Sequence, residues 1–244
     1  MKAIILAAGV GRRLGVDHPK CLLEFDGRSL MQRHLDLLKQ LGVEEVIVGV
    51  GHLADQVSDA IAEYGHADFT RTIFNSRFEQ GSMISLWTLR EELTYGGDVL
   101  LMDADVLYDQ KMLQRLVETD YKNTFLLDRG FEDGDEPVKL CVRDGKLVEF
   151  RKQLAADLDY EFSGESVGFF RFGSVILKRL SERTEDYLAR GLFEEHYEEA
   201  IRDLMLETPK EFSFEDVTGI PWIEIDFPED IERAKKEILP KINT

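Results

Sequence analysis

Two groups of residues at opposite ends of this chain have the types and spacing for phosphate chemistry. The first is a glycine loop. Residues 2–7 form an apolar run that reads as a buried strand. Gly9, Gly11 and Gly15 then break the chain around Arg12 and Arg13, and the stretch closes on Pro19-Lys20. Glycines admit positive φ and turn backbone N–H groups toward one point, a concavity suited to anionic oxygens. Two arginines and a lysine beside it suit a polyphosphate. The second group is acidic. Asp103 and Asp105 close one apolar strand, and Glu224 and Asp226 close another far along the chain. Alternation along a strand places Asp103 with Asp105 on one face, and Glu224 with Asp226. Magnesium takes one or two carboxylates together with phosphate oxygens, so the two groups belong to one site if the fold unites them. Acids at strand ends also start turns and cap helices, and Asp226 before Phe227-Pro228 could be such a cap.

Rival glycine loops fit less well. The dinucleotide fingerprint is G-x-G-x-x-G, whereas Gly9, Gly11 and Gly15 are spaced G-x-G-x-x-x-G. Pro19 also follows too soon for a helix already under way. No ribose-binding acid ends the second strand, which runs into Gly51-His52, and the Gly-Lys-Ser/Thr of a Walker loop is absent. An arginine-bearing surface loop is the plain alternative.

The elements that must carry these residues alternate through the first half. Strands are expected at 45–50, 69–74 and 98–102, and helices at 29–41 (capped by Ser29 and stopped by Gly42), 53–64 and 83–93. That rhythm predicts a largely parallel sheet with the site at the carboxyl ends of its strands. The second half holds short strands at 124–127, 138–142, 147–150 and 167–172, with Asp144-Gly145 as a hairpin turn. Helices follow at 175–188 and 195–206, then strands at 212–217 and 222–225, and Pro228 opens a last helix. No linker or repeat interrupts the chain. The expectation is one α/β domain over 1–244, a nucleotide-binding half (1–120) and an acceptor-side half (121–244).

Composition narrows the partners. A net charge of −18 disfavours nucleic acid and anionic membranes, yet the first twenty residues carry +3, the local reversal a phosphate pocket needs. No apolar stretch is long enough for a membrane span, and the amino terminus has no signal-peptide layout. Cys21 and Cys141 are isolated, which argues against a disulfide framework or structural zinc and for a cytoplasmic setting. A homodimer is left open. The five histidines are scattered; His34 reads as packing or surface.

Leu6-Ala7-Ala8-Gly9 with Gly11, Arg13, Leu14, Gly15 and Pro19-Lys20 resembles the signature of the sugar-nucleotidyltransferase-like superfamily. The resemblance implies a Rossmann-like (GT-A-like) domain, a mostly parallel mixed sheet covered by helices on both faces. It also implies nucleotide contacts from Leu6, Ala7, Ala8, Gly9, Gly11, Arg12, Arg13 and Lys20, with Lys20 and Arg12 acting on the phosphates. Asp105 and Asp226 match the superfamily's Mg²⁺ ligands, with Glu224 beside them. The Glu224-x-Asp226 context is similar to the cytidylyltransferases of phosphocholine and related small phosphates. Asp103 stands where those relatives often have glycine and is secondary. By the same resemblance Lys139 and Lys152, flanking Gly145, face the reacting phosphates. Asn75 and Glu165 meet the acceptor, and Ser82 lies by the nucleotide. Ser82 replaces an asparagine of the relatives, leaving a phosphonate or polyol phosphate as open as phosphocholine.

The implied reaction joins CTP to a small phosphorylated or phosphonylated alcohol with release of pyrophosphate, using Mg²⁺. A phosphate acceptor is already a nucleophile near neutral pH, its second pKa being about 6, so no general base is required. This agrees with the lack of a Ser-His-Asp or Cys-His arrangement. The alternatives are a sugar-1-phosphate nucleotidyltransferase using another NTP, a non-catalytic nucleotide-binding regulator, and a glycosyltransferase whose metal motif is Asp103-Ala104-Asp105. The glycine loop disfavours the last.

Overall fold

The computed structural model describes residues 1–15 and 17–243. Strand β1 (Lys2–Ala7) is followed by a small hairpin, β2 (Glu24–Phe25) and β3 (Arg28–Ser29), and helix α1 (Leu30–Gln40). Next come β4 (Val46–Val50), α2 (Ala54–Glu63), β5 (Thr70–Phe74), α3 (Ser82–Thr88), β6 (Val99–Asp103), β7 (Val106–Tyr108) and α4 (Gln110–Glu118). The second half comprises β8 (Thr124–Asp128), β9 (Lys139–Arg143), β10 (Lys146–Arg151), β11 (Phe162–Phe172), α5 (Ser174–Ala189), α6 (Tyr197–Glu207), β12 (Ser213–Asp216), β13 (Trp222–Glu224) and α7 (Pro228–Arg233).

The sheet is mixed. Its order β10-β9-β11-β6-β1-β4-β5 places the parallel strands β6, β1, β4 and β5 on one side. The second half joins through β11, antiparallel to β6, β8 and β9. Alternation along β1 explains the two layers. Ala3, Ile5 and Ala7 meet the helices α1, α2 and α4 on one face, while Ile4 meets α3, α5 and α6 on the other. Ser29 caps α1 as expected, its hydroxyl accepting from the Gln32 N–H at 3.1 Å, and Asp144 and Gly145, both at positive φ, make the β9–β10 turn.

Several elements differ from the sequence reading. The helix expected at 83–93 ends at Thr88. The N–H groups of Leu89, Arg90 and Glu92 bond three residues back, a tighter winding that still buries Leu89 and Leu93. The short strand β7 and the helix α4, which Asp109 caps through the Lys111 N–H at 2.9 Å, were not anticipated. The strand expected at 167–172 is the end of an 11-residue strand bent at Gly168.

Two features of this architecture place the site. Leu6 of β1 lies level with Asp103 of β6 in parallel register, so the glycine loop and the Asp103–Asp105 turn leave the same sheet edge. Strand β13 pairs antiparallel with β7, Glu224 opposite Val106, and the Ile225 N–H bonds the Asp105 carbonyl at 2.9 Å. A small core of Leu14, Leu23, Phe25, Leu107, Ile223 and Ile225 fastens that returning segment against the loop after β1.

His34 steadies the turn from below. It is fully buried, with Nε2 at 3.2 Å from the Ala104 carbonyl and Nδ1 at 3.1 Å from the Tyr108 hydroxyl. Those partners fit a neutral ring that donates from Nε2 and accepts at Nδ1. Burial pulls its pKa down to about 4, with the Ala104 contact opposing. A depressed folded-state pKa means that the unfolded chain takes up the proton first. The stability His34 holds above about pH 6.5 is therefore lost as pH falls toward 4, by about 3 kcal/mol. Urea unfolding of wild type and His34→Gln across pH 8 to 4.5 checks this: the variant is expected to lack this part of the decline, so the stability gap between the two narrows with acid.

Candidate active site

A cleft of about 510 Å³ opens at the carboxyl ends of β1 and β6. One wall is the glycine loop, from Leu6 through Arg13, with Lys20, Phe78, Gly81, Ser82 and Ser85. The other carries Lys152, Glu165, Gly168, Tyr197 and Glu198. Asp103, Asp105, Glu224 and Asp226 line the space between them. Gly11 takes φ 64°, and a Cβ there would press to 3.0 Å of Lys20 Cγ, so glycine lets the Lys20 stem cross the loop. Gly168 takes φ 76°, and a side chain there would collide with the Asp103 carboxylate.

The acidic centre is compact. Ligand oxygens of Asp105, Glu224 and Asp226 all lie within 4.8 Å of one another. Lys20 reaches into them, its ammonium 3.3 Å from Asp105 Oδ2 and hydrogen-bonded to Asp226 Oδ1. Burial alone would depress the lysine's pKa, but Asp105 and Asp226 outweigh it and hold it above the ordinary range. Asp105 is shifted upward by burial; Lys20 opposes this and Asp226 adds to it. Glu224 meets solvent at the cleft, yet the surrounding walls, then Asp105 and Asp226, push its proton affinity well up. Three oxygens so close repel one another unless a cation sits among them, and an all-oxygen set is what Mg²⁺ prefers. The residues therefore fit a divalent ion.

Asp103 does not join this trio, although alternation had placed it with Asp105. The strand ends at Asp103, which turns toward α6 and accepts from the Tyr197 hydroxyl at 2.9 Å. Glu165 also stands in the cleft, and burial, with Asp128 adding, raises its pKa to about 7. Two other expected residues are elsewhere. Lys139 is buried behind the wall, its ammonium bonding the carbonyls of Gly134 and Lys152, because β9 points it at the 133–137 loop. Asn75 lies beneath α3, bonding Ser85 Oγ at 3.1 Å and accepting from the Arg77 N–H at 2.9 Å. Neither lines the cleft. Ser82 does line it, and its hydroxyl also accepts from the Tyr197 N–H at 3.1 Å.

Sequence reasoning missed Glu198 and Glu136. Glu136 lies 3.2 Å from both Arg13 and Lys152, so a single carboxylate engages cations of both walls. Arg12 is similarly drawn to Glu79, at 3.5 Å. An anion taking Arg13 and Lys152 as partners would have to displace Glu136. Glu136→Gln is therefore expected to lower the apparent KM for the nucleotide about twofold to fivefold, the factor carried by exposed ion pairs of up to about 1 kcal/mol. Nucleotide titration of steady-state pyrophosphate release checks it.

A family model described as the MobA-like NTP transferase domain matches residues 3–165. Over 95% of its length the chain is 25% identical to the CTP:phosphoglutamine cytidylyltransferase of Campylobacter jejuni, covering 98% of that protein. It is 26% identical to the CMP-5'-(3-aminopropyl)phosphonate synthase of Streptomyces rubellomurinus, where 98% of this chain matches only 39% of the longer relative. Among solved structures, the CTP:phosphocholine cytidylyltransferase of Streptococcus pneumoniae superposes with a TM-score of 0.77. That match is at 21% identity and covers 96% of this chain and 97% of the other, so the fold is shared.

Proposed function

The chain belongs to the MobA-like NTP transferase family, and on that premise we propose that it transfers CMP from CTP to a small phosphorylated or phosphonylated acceptor and releases pyrophosphate. The observation that carries this reading is the closure of Asp105, Glu224 and Asp226 around Lys20 at the foot of the glycine loop. CTP as donor and a small phosphate or phosphonate as acceptor are favoured by the relatives named above.

In this mechanism the backbone of Gly9–Gly11, Arg12, Arg13 and Lys20 holds the triphosphate, and Leu6, Ala7, Ala8 and Ser82 lie along the nucleoside. Mg²⁺ held by Asp105, Asp226 and Glu224 would neutralise charge on the triphosphate as a Lewis acid. The acceptor needs no base, because its phosphoryl oxygen is already anionic. That oxygen attacks the α-phosphorus; the bond from that phosphorus to the oxygen bridging it to the β-phosphorus breaks, and pyrophosphate leaves with the electron pair. Lys152 faces the acceptor's phosphoryl group. Lys139 acts as a positioning residue, anchoring the end of β10 through the Lys152 carbonyl. Most of the rate gain comes from alignment and fixed positive charge. A cytoplasmic setting accords with two buried free cysteines. Among the described residues no helix is long and apolar enough to cross a membrane.

The test is pyrophosphate release with CTP, UTP, dTTP, GTP and ATP crossed against phosphocholine, 2-carbon phosphonates, inositol phosphate and hexose 1-phosphates. CTP with a small acceptor is expected to dominate. Turnover confined to a hexose 1-phosphate with another nucleotide would overturn the reading.

A further inference from the structure

The cleft is electrically divided. Asp105 and Asp226 share Lys20, and Arg13 stands 3.6 Å from Asp226. On the acceptor side, Asp103, Glu165 and Glu198 line the same space, and among the described residues none of them has a basic nitrogen within 4.0 Å. A second, independent observation concerns Glu198. Its Oε2 is buried and has no hydrogen-bond partner. Native structures rarely leave a buried carboxylate oxygen unpaired, so the position calls for a donor from outside the chain. Its neighbour Tyr197 gives its hydroxyl to Asp103 and packs edge-on against Phe170, also in the cleft. The acceptor end is thus an anionic pocket with aromatic rings beside it, surroundings that favour a cation.

Resting on the CMP-transfer reading above, we propose that the acceptor is a zwitterion: its phosphoryl or phosphonyl end faces Lys152 and Lys20, and its other end is an alkylammonium held by Glu198 with Asp103 beside it. An alkylammonium is charged at neutral pH and brings N–H donors that the orphaned Glu198 oxygen lacks. A neutral polyol supplies donors but no positive charge beside Glu198 and Asp103, and an acceptor with a second anionic group is repelled. Glu198 and Asp103 are then specificity-determining residues.

The experiment compares 2-aminoethylphosphonate with its near-isostere 2-hydroxyethylphosphonate in pyrophosphate release with CTP and Mg²⁺. The amine is expected to be favoured in kcat/KM by roughly 10- to 100-fold, the factor of one charge-assisted hydrogen bond. Glu198→Gln is expected to compress that ratio about tenfold. A ratio is insensitive to the fraction of folded enzyme. Equal or better use of the hydroxyl compound, or a ratio unmoved by Glu198→Gln, overturns the proposal. Calorimetry of both phosphonates on enzyme loaded with Mg²⁺ and α,β-methylene-CTP separates this from the transfer reading. Amine-selective binding without turnover upholds the pocket assignment and contradicts CMP transfer; unselective or absent binding overturns the assignment.

Discussion

Asp105→Asn is expected to lower kcat/KM by about 10³-fold, some 4 kcal/mol of transition-state stabilisation, while the fold survives. The side chain does little for packing. It sits at the cleft floor beside Lys20, Glu224 and Asp226, and its proton affinity is raised rather than lowered there, so its charged form is not held by the fold. The amide keeps the volume but not the charge that a divalent ion requires. Lys20 retains Asp226 in the variant. Circular dichroism and a melting curve close to those of the wild type, together with the activity loss, would establish a chemical role. Near-normal turnover would remove Asp105 from the metal site.

Lys20→Ala carries the second large effect, expected to be about 10²- to 10³-fold in kcat/KM, divided between weaker nucleotide capture and slower transfer. A structural consequence accompanies it. Lys20 is the cation lying between Asp105 and Asp226, and without it three carboxylates face one another with only Arg13, 3.6 Å from Asp226, to offset them. The variant should melt below the wild type in EDTA, and Mg²⁺ should narrow the gap by occupying the cluster. An effect confined to the acceptor's KM would show that Lys20 does not serve the triphosphate, and equal stabilisation of both proteins by Mg²⁺ would show that it does not relieve the carboxylate cluster.

Much of this arrangement was legible in the residues because it depends on local signals. Glycines at 9, 11 and 15, a strand before them and Pro19 after them specify a loop whatever follows. The union of Asp105 with Asp226 was signalled by acids at the ends of two apolar runs; the separate antiparallel ribbon of β7 and β13 is what brings them together. What eluded the sequence is orientation after a strand stops. Asp103 and Asp105 are two apart, but the chain turns between them under the His34–Ala104 contact, and the pair divides between two halves of the cleft. Lys139 and Lys152 flank one hairpin, yet the 133–137 loop captures the first from behind. Asn75 has the composition of a ligand and serves as a turn. Glu198 sits one residue into α6 and had no motif to mark it; its orphaned oxygen is visible only in three dimensions. The helix at Gln110–Glu118 was within reach, since Asp109 followed by Met112, Leu113 and Leu116 is a cap before an apolar stripe.

The most direct test of CMP transfer is ³¹P NMR of the enzyme with Mg²⁺, CTP and 2-aminoethylphosphonate. The mechanism predicts that CTP disappears with equal amounts of pyrophosphate and of a product whose phosphonate phosphorus is coupled to one CMP phosphorus through a shared oxygen. Formation of CDP and inorganic phosphate, with the phosphonate signal unchanged, would mean attack at the terminal phosphorus and would contradict it.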